Sequence, residues 1–130
     1  MSRYKRAYQE RFYLNHQCIS CGKPLEEGRT KVTCVNCAQI SIKNKRLVKK
    51  KIIEYFGGSC KDCGLKSPYS MVYDIHHEQK DLKDPALRSI RHMNILYSWA
   101  WGKIIKELEH CVLLCANCHR IRHATETLPE

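Results

Sequence analysis

Cys111-Val112-Leu113-Leu114-Cys115-Ala116-Asn117-Cys118-His119-Arg120-Ile121-Arg122-His123, read with the earlier Val72-Tyr73-Asp74-Ile75-His76-His77, decides how this chain folds. Cys111 to Leu114 is a short apolar run that reads as a strand, and Tyr69 to His76 reads as another. A helix is expected to start near Cys118, and on a helix His119 and His123 lie four apart on one face, so their imidazoles aim at one point. Cys115-x-x-Cys118 has the spacing of a structural zinc knuckle. Two kinds of metal chemistry therefore meet in one stretch, thiolates for an ion that builds and imidazoles for a second, reactive ion. Adjacent strand residues point to opposite faces, so His76 and His77 divide their work: one ring suits a metal, the other a water or a phosphate.

The same knuckle spacing recurs outward from this point. Eight of the nine cysteines form four Cys-x-x-Cys pairs, Cys18/Cys21, Cys34/Cys37, Cys60/Cys63 and Cys115/Cys118. A chain of 130 residues buries little apolar surface and gains from staples. Joining neighbouring pairs closes the shortest loops, which groups Cys18, Cys21, Cys34 and Cys37 in one site and Cys60, Cys63, Cys115 and Cys118 in another. Each is expected to be an all-thiolate structural zinc site, worth roughly 10–16 kcal/mol of apparent binding free energy in small domains. Cys111 is left over and reads as a small buried hydrophobe. A disulfide framework is the competing reading, but the opening Met1-Ser2-Arg3-Tyr4-Lys5-Arg6 has no apolar signal-peptide core. The expectation is a cytoplasmic, reducing setting, a bacterial cell or a phage-infected host, and not secretion. No apolar run approaches the ~20 residues that span a bilayer, so no membrane partner is expected.

Charge divides the chain. Residues 1–56 carry 13 Lys+Arg against 4 Asp+Glu, a net of +9, whereas residues 57–130 carry 10 against 9, a net of +1. Six of the seven histidines fall after residue 75. Binding to a polyanion and metal chemistry are thus assigned to different halves. Three segments follow: 1–37, a tail and a four-cysteine zinc ribbon; 38–57, a basic connecting helix; and 58–130. Val48, Ile52, Tyr55 and Phe56, with Leu47 beside them, predict an apolar stripe on a helix over 38–56 closed by Gly57-Gly58. Lys43, Lys45, Arg46, Lys49, Lys50 and Lys51 cover its other faces with no acid among them, which suits contact with double-stranded DNA. The ribbon offers a further surface for a protein partner. In the last segment a second helix over Asn94 to Glu109 is expected to turn Ile95, Leu96, Trp99, Ile105 and Leu108 inward, with Trp99 and Trp101 packing.

Tyr73-Asp74-Ile75-His76-His77, then Cys111 to His123 as quoted, with Cys60-x-x-Cys63-Gly64 upstream, resemble the HNH endonuclease family over about residues 58–124. The resemblance implies a small α+β fold, a zinc-stabilised ββα-metal (His-Me finger) nuclease domain preceded here by the zinc ribbon and basic helix. It implies that His77 is the general base, that His76, His119 and His123 hold a catalytic divalent ion, and that Cys60, Cys63, Cys115 and Cys118 hold a structural zinc. Two departures stand out. His110 occupies the place of the family's middle Asn, while Asn117 lies inside the knuckle. The 33 residues between His77 and Cys111 are more than a minimal turn needs, and insert the helix that bears the tryptophans.

The function so implied is hydrolysis of DNA phosphodiester bonds, giving 5′-phosphate and 3′-hydroxyl ends. An imidazole titrates near neutral pH and can take a proton from water. Imidazole ligands are softer than those magnesium prefers, so Mn2+, Ni2+ or Co2+ should serve at least as well as Mg2+. The cofactors expected are two structural Zn2+ and one catalytic divalent ion. The alternative is a non-catalytic zinc-dependent DNA- or RNA-binding protein, which would need the thiolate sites and the basic helix but has no use for His77.

Overall fold

The computed structural model describes residues 6, 8–88 and 93–128. The chain divides into two compact units, Met1–Asn44 and Lys45–Glu130, with the division inside helix α1 (Val35–Tyr55).

In the first unit a widened helical turn, Gln9–Leu14, precedes the Cys18–Cys21 knuckle. Cys18 N–H donates to Lys23 O and Gly22 N–H donates to Cys18 O, each at 2.8 Å. That turn sets Gly22 at φ 74°, a conformation in which a Cβ is strained. The second pair is built differently. A ribbon would place both pairs on hairpin knuckles, but Cys37 is followed by Ala38 and enters the first turn of α1, because no glycine is there to turn the chain back. Glu26 Oε1 accepts the Val35 N–H at 3.3 Å, which satisfies one of the free amides at the helix start. Cys18, Leu25 and Cys34 form the buried centre of this unit, with Phe12 and Cys37 packed on it.

The second unit repeats this scheme around a sheet. Cys60 N–H donates to Leu65 O and Gly64 N–H to Cys60 O, each at 2.9 Å, with Gly64 at φ 72°. Cys115 precedes helix α4 (Ala116–Thr127), and Cys118 lies in its first turn. Between them, β1 (Tyr73–His77) and β2 (Cys111–Cys115) pair antiparallel, from Tyr73↔Cys115 to His77↔Cys111. The expected strand from Tyr69 begins four residues late, since Ser70–Val72 make a helical turn instead.

Both faces of this two-stranded sheet are covered, which is why β2 is apolar throughout. Ile75 and Cys111 face a core of Ile52 from α1, Leu87, Leu96, Ile104 and Leu108. Val112 and Leu114 face the zinc-side cluster with Cys60, Cys115 and Cys118. The helix expected over 94–109 is two, α2 (Met93–Leu96) and α3 (Trp101–Leu108). Ser98 breaks it: its hydroxyl donates to Ile95 O at 2.7 Å, and Ala100 is extended at ψ 143°. The restart turns Ile104 into the core in place of Ile105. On α1, Ile52 is fully buried while Tyr55 and Leu47 are exposed, so the apolar stripe is narrower than its spacing suggested.

Tyr73 shows what anchors the knuckle to the sheet. Its side chain is inaccessible, its hydroxyl accepts the Ser67 N–H at 2.7 Å, and Gly58 O and Leu65 O lie 3.1 and 3.2 Å away to accept its proton. Tyr73→Phe should destabilise the second unit by about 1–3 kcal/mol, because it leaves the half-buried Ser67 amide without its acceptor, whereas the exposed Tyr13→Phe should change little. Thermal unfolding of the zinc-loaded variants checks this; equal midpoints for the two would refute it.

Candidate metal centre and its cleft

Each set of four cysteines brings its sulfurs within 4.8 Å of one another. Cys21 Sγ and Cys34 Sγ are 3.8 Å apart, as are Cys63 Sγ and Cys115 Sγ. A tetrahedral ion with metal–sulfur bonds of about 2.3 Å has sulfur–sulfur edges of about 3.8 Å, against about 2.05 Å in a disulfide. The spacing therefore fits zinc and excludes cystine. Cys34 Sγ accepts the Cys37 N–H at 3.5 Å and Cys115 Sγ the Cys118 N–H at 3.4 Å, which sets a sulfur at the positive end of a helix in both sites. Burial opposes ionisation, but backbone N–H groups outweigh it and hold the Cys18 and Cys60 thiols down to about 6. Cys37 is pushed up to about 12 and Cys118 is raised, both by hydrogen bonding to the neighbouring sulfurs. Four thiolates can coexist at such distances only around a cation, so the two clusters can hold two structural zinc ions.

The third convergence is of imidazoles. His76, on β1, and His119 and His123, on α4, bring one ring nitrogen each within 4.8 Å of the others, a group that can hold a metal ion. His119 Nε2 and His123 Nε2 are 3.0 Å apart, close to the separation of about 3.0 Å for two nitrogens bound at a right angle 2.0–2.1 Å from one ion. Asp74 Oδ2 sits 3.2 Å from His119 Nδ1, which keeps the proton on Nδ1 and frees Nε2. This works because Asp74 and His76 share the face of β1 that meets α4. Sequence reasoning missed Glu126, although it lies three residues beyond His123 on the same helix. Its Oε1 is 3.1 Å from His76 Nε2, and Lys80 Nζ holds its Oε2 at 2.7 Å.

His77 points to the other face, as the strand alternation requires. Its Nε2 lies 2.7 Å from Glu107 Oε1 on α3, and both residues are buried. Burial holds the His76 and His77 imidazoles below the usual histidine range, against the pull of their carboxylate partners, so both are neutral at neutral pH. Among the described residues His110 makes no hydrogen bond through its side chain. Its backbone carbonyl accepts the Glu78 N–H at 3.0 Å and so closes the end of the sheet, while Asn117 is exposed at the start of α4. No pattern in the sequence pointed to Glu107. Cys111 is buried as expected, with its thiol pushed up to about 12 by burial and 3.2 Å from Glu107 O.

Because β1 ends at His77, both faces of the strand open into one cleft of about 700 Å³, lined by Ile75, the four histidines, Lys80, Asp81, Lys83 and Arg88. Among the described residues Lys83 and Arg88 pair with no carboxylate there. A neutral base, a three-nitrogen metal group and two uncompensated cations on one cleft can bind a phosphate ester and deprotonate a water.

The basic positions of α1 are not equivalent. Lys43, Arg46, Lys50 and Lys51 are exposed, and Lys51 Nζ lies 5.3 Å from the centre of the Trp101 ring. Lys45 and Lys49 are half-buried, and burial holds Lys49 below the usual lysine range. Trp99 and Trp101 pack on the core. Among the described residues no helix is long and apolar enough to cross a membrane.

Metal analysis should return two tightly held zinc ions per chain. Cys115→Ser should keep only the ion of the first unit and lose the dispersed amide spectrum of residues 45–130, since its site ties the knuckle to β2 and α4. Retention of two zinc ions, or of that spectrum, would contradict the assignment.

A scan against protein-family models, a search of curated proteins and a search of solved structures each find no match to this chain.

Proposed function

We propose that this chain is a metal-dependent DNA endonuclease of the HNH, ββα-metal type. The observation that carries the reading is the meeting of the His76, His119 and His123 nitrogens on the same cleft as the neutral, buried His77. A purely structural or DNA-binding module has no need of a buried histidine at the mouth of a cationic cleft. His77 takes the proton of the attacking water as general base. Lys83 and Arg88 draw the phosphodiester in and balance its charge. Asp74 holds His119, and Glu126 flanks His76, so that the three ligands are oriented before substrate arrives. A divalent ion held by His76, His119 and His123 would supply Lewis-acid polarisation of a phosphate oxygen and counter-charge for the leaving 3′ oxygen. The products would carry 5′-phosphate and 3′-hydroxyl ends, and Mn2+, Ni2+ or Co2+ would support the reaction at least as well as Mg2+.

His77→Ala should slow plasmid nicking by roughly 100- to 10,000-fold while zinc content and DNA affinity stay as in the wild type. A fall in affinity that matches the fall in cutting would remove His77 from the chemistry. Duplex DNA is expected to lie along the exposed cations of α1. Replacing Lys43, Arg46 and Lys50 by Gln should lower the slope of log K against log salt by about 0.9 for each phosphate that the helix no longer neutralises. An unchanged slope would take α1 off the DNA.

A further inference from the structure

The segment between the strands builds more than a cover for the sheet. Glu107 is 8% exposed, and its neighbours one residue on and three residues back, Leu108 and Ile104, are 1% exposed. Helix α3 is therefore clamped by its own apolar face, and the Glu107 carboxylate leaves it in one direction. That carboxylate is held from two sides. The Asp84 N–H donates to its oxygens at 3.2 and 3.4 Å, and His77 Nε2 lies 2.7 Å from Oε1. Asp84 is fixed in turn, its Oδ1 accepting the Ala86 N–H at 2.8 Å and its Oδ2 lying 3.6 Å from Lys103 Nζ. The Cys111 thiol donates to Glu107 O at 3.2 Å, and Cys111 is the strand partner of His77. His77, Cys111 and Glu107 thus close a ring of contacts.

A carboxylate accepts and does not donate, whereas a neutral imidazole has one donor and one acceptor nitrogen. The hydrogen on His77 must therefore sit on Nε2, facing Glu107. Among the described residues Nδ1 makes no hydrogen bond and no buried side-chain nitrogen or oxygen lacks a partner, so Nδ1 is not sealed in. His77 lines the cleft, and Nδ1 is the ring nitrogen left to meet it.

We propose that Glu107 is the positioning residue of His77: its carboxylate takes the Nε2–H hydrogen bond and so leaves the Nδ1 lone pair to face the cleft. The consequence for rate rests on the nuclease reading above; the tautomer does not. In that reaction the water's proton passes to Nδ1, its oxygen bonds to phosphorus as the P–O3′ bond breaks, and the departing 3′ oxygen takes a proton from solvent to become the 3′-hydroxyl. The imidazolium so formed keeps its Nε2–H on Glu107, which stabilises the new positive charge. The eight paired cysteines, the three ligand histidines and the knuckle turns make none of these contacts, and Glu107 and Asp84 both come from the segment between β1 and β2.

The test uses the full zinc-loaded chain labelled with 15N, with long-range proton–nitrogen correlations of the imidazoles at mildly alkaline pH and His77 assigned by its loss in His77→Ala. Wild type should show His77 protonated on Nε2 and bare at Nδ1, and Glu107→Ala should give a mixture of tautomers. On a short duplex, Glu107→Ala should lower kcat about 100-fold with KM and zinc content within about twofold of wild type. Glu107→Gln, which keeps the acceptor oxygen and the volume but not the charge, should recover to within roughly tenfold of wild type. A wild-type His77 protonated on Nδ1 overturns the proposal, as does a Glu107→Ala loss that falls on KM or on zinc content. Wild-type kcat in Glu107→Gln together with an unaltered tautomer in Glu107→Ala does so too. If Glu107→Ala does not fold, the wild-type tautomer and the Glu107→Gln rate decide. If wild type cuts no nucleic acid, the nuclease reading fails and the tautomers alone judge Glu107.

Discussion

Four thiolates held within a few ångströms repel one another strongly, and a divalent cation at their centre would turn that repulsion into the strongest constraint in a small chain. In the second unit this constraint joins the Cys60–Cys63 knuckle to the junction of β2 and α4. From there the geometry propagates. Cys115 is opposite Tyr73, so the end of β2 sets the register of β1. That register turns Asp74 and His76 toward α4 and His77 toward α3. A slip of one residue would exchange the two faces and put His76 where Glu107 is. The convergence of His76, His119 and His123 is therefore a consequence of where the sulfurs meet.

Much of this could be read along the chain. Ligand spacing is local chemistry, so the four cysteine pairs and the helical pair His119/His123 were legible as they stand. Strand alternation was legible too, and it divided His76 from His77 correctly. What escaped were features decided by tertiary contact. Ser70–Val72 turn where a strand was expected, and Ser98 captures the Ile95 carbonyl and splits a helix whose periodicity ran on unbroken. That break rotates Ile104 inward in place of Ile105. Glu107 was invisible for a plainer reason. It lies 30 residues from His77 in a helix whose other charged residues face water, and no periodicity distinguishes the one acid that meets a partner. Glu126 was within reach, being on the face of α4 that carries His119 and His123.

Behind the near-neutral balance of residues 57–130, six of its nine acids face a basic partner among the described residues. Asp62 and Glu78 hold Arg122, which spans from the knuckle to α4. Asp74 faces His119, Glu126 faces His76 and Lys80, Glu107 faces His77, and Asp84 faces Lys103. Carboxylates are thus drawn into the frame of the site. Among the described residues Lys83 and Arg88, which line the cleft with Asp81, form no ion pair and leave positive charge there for an anionic ligand to meet.

The two thiolate frames share one construction, a glycine-closed knuckle followed by a pair that opens a helix. They even share a residue between the helix cysteines, Asn36 in Cys34-Val35-Asn36-Cys37 and Asn117 in Cys115-Ala116-Asn117-Cys118. One and five residues after the last cysteine, the second frame carries His119 and His123, while the first carries Ala38 and Ile42. The exposed turn beyond the sulfurs is thus a blank page in one copy and a written one in the other. Scaffold and reactivity are separable variables here: the same frame carries imidazoles on the turns after its last cysteine in one copy and none in the other.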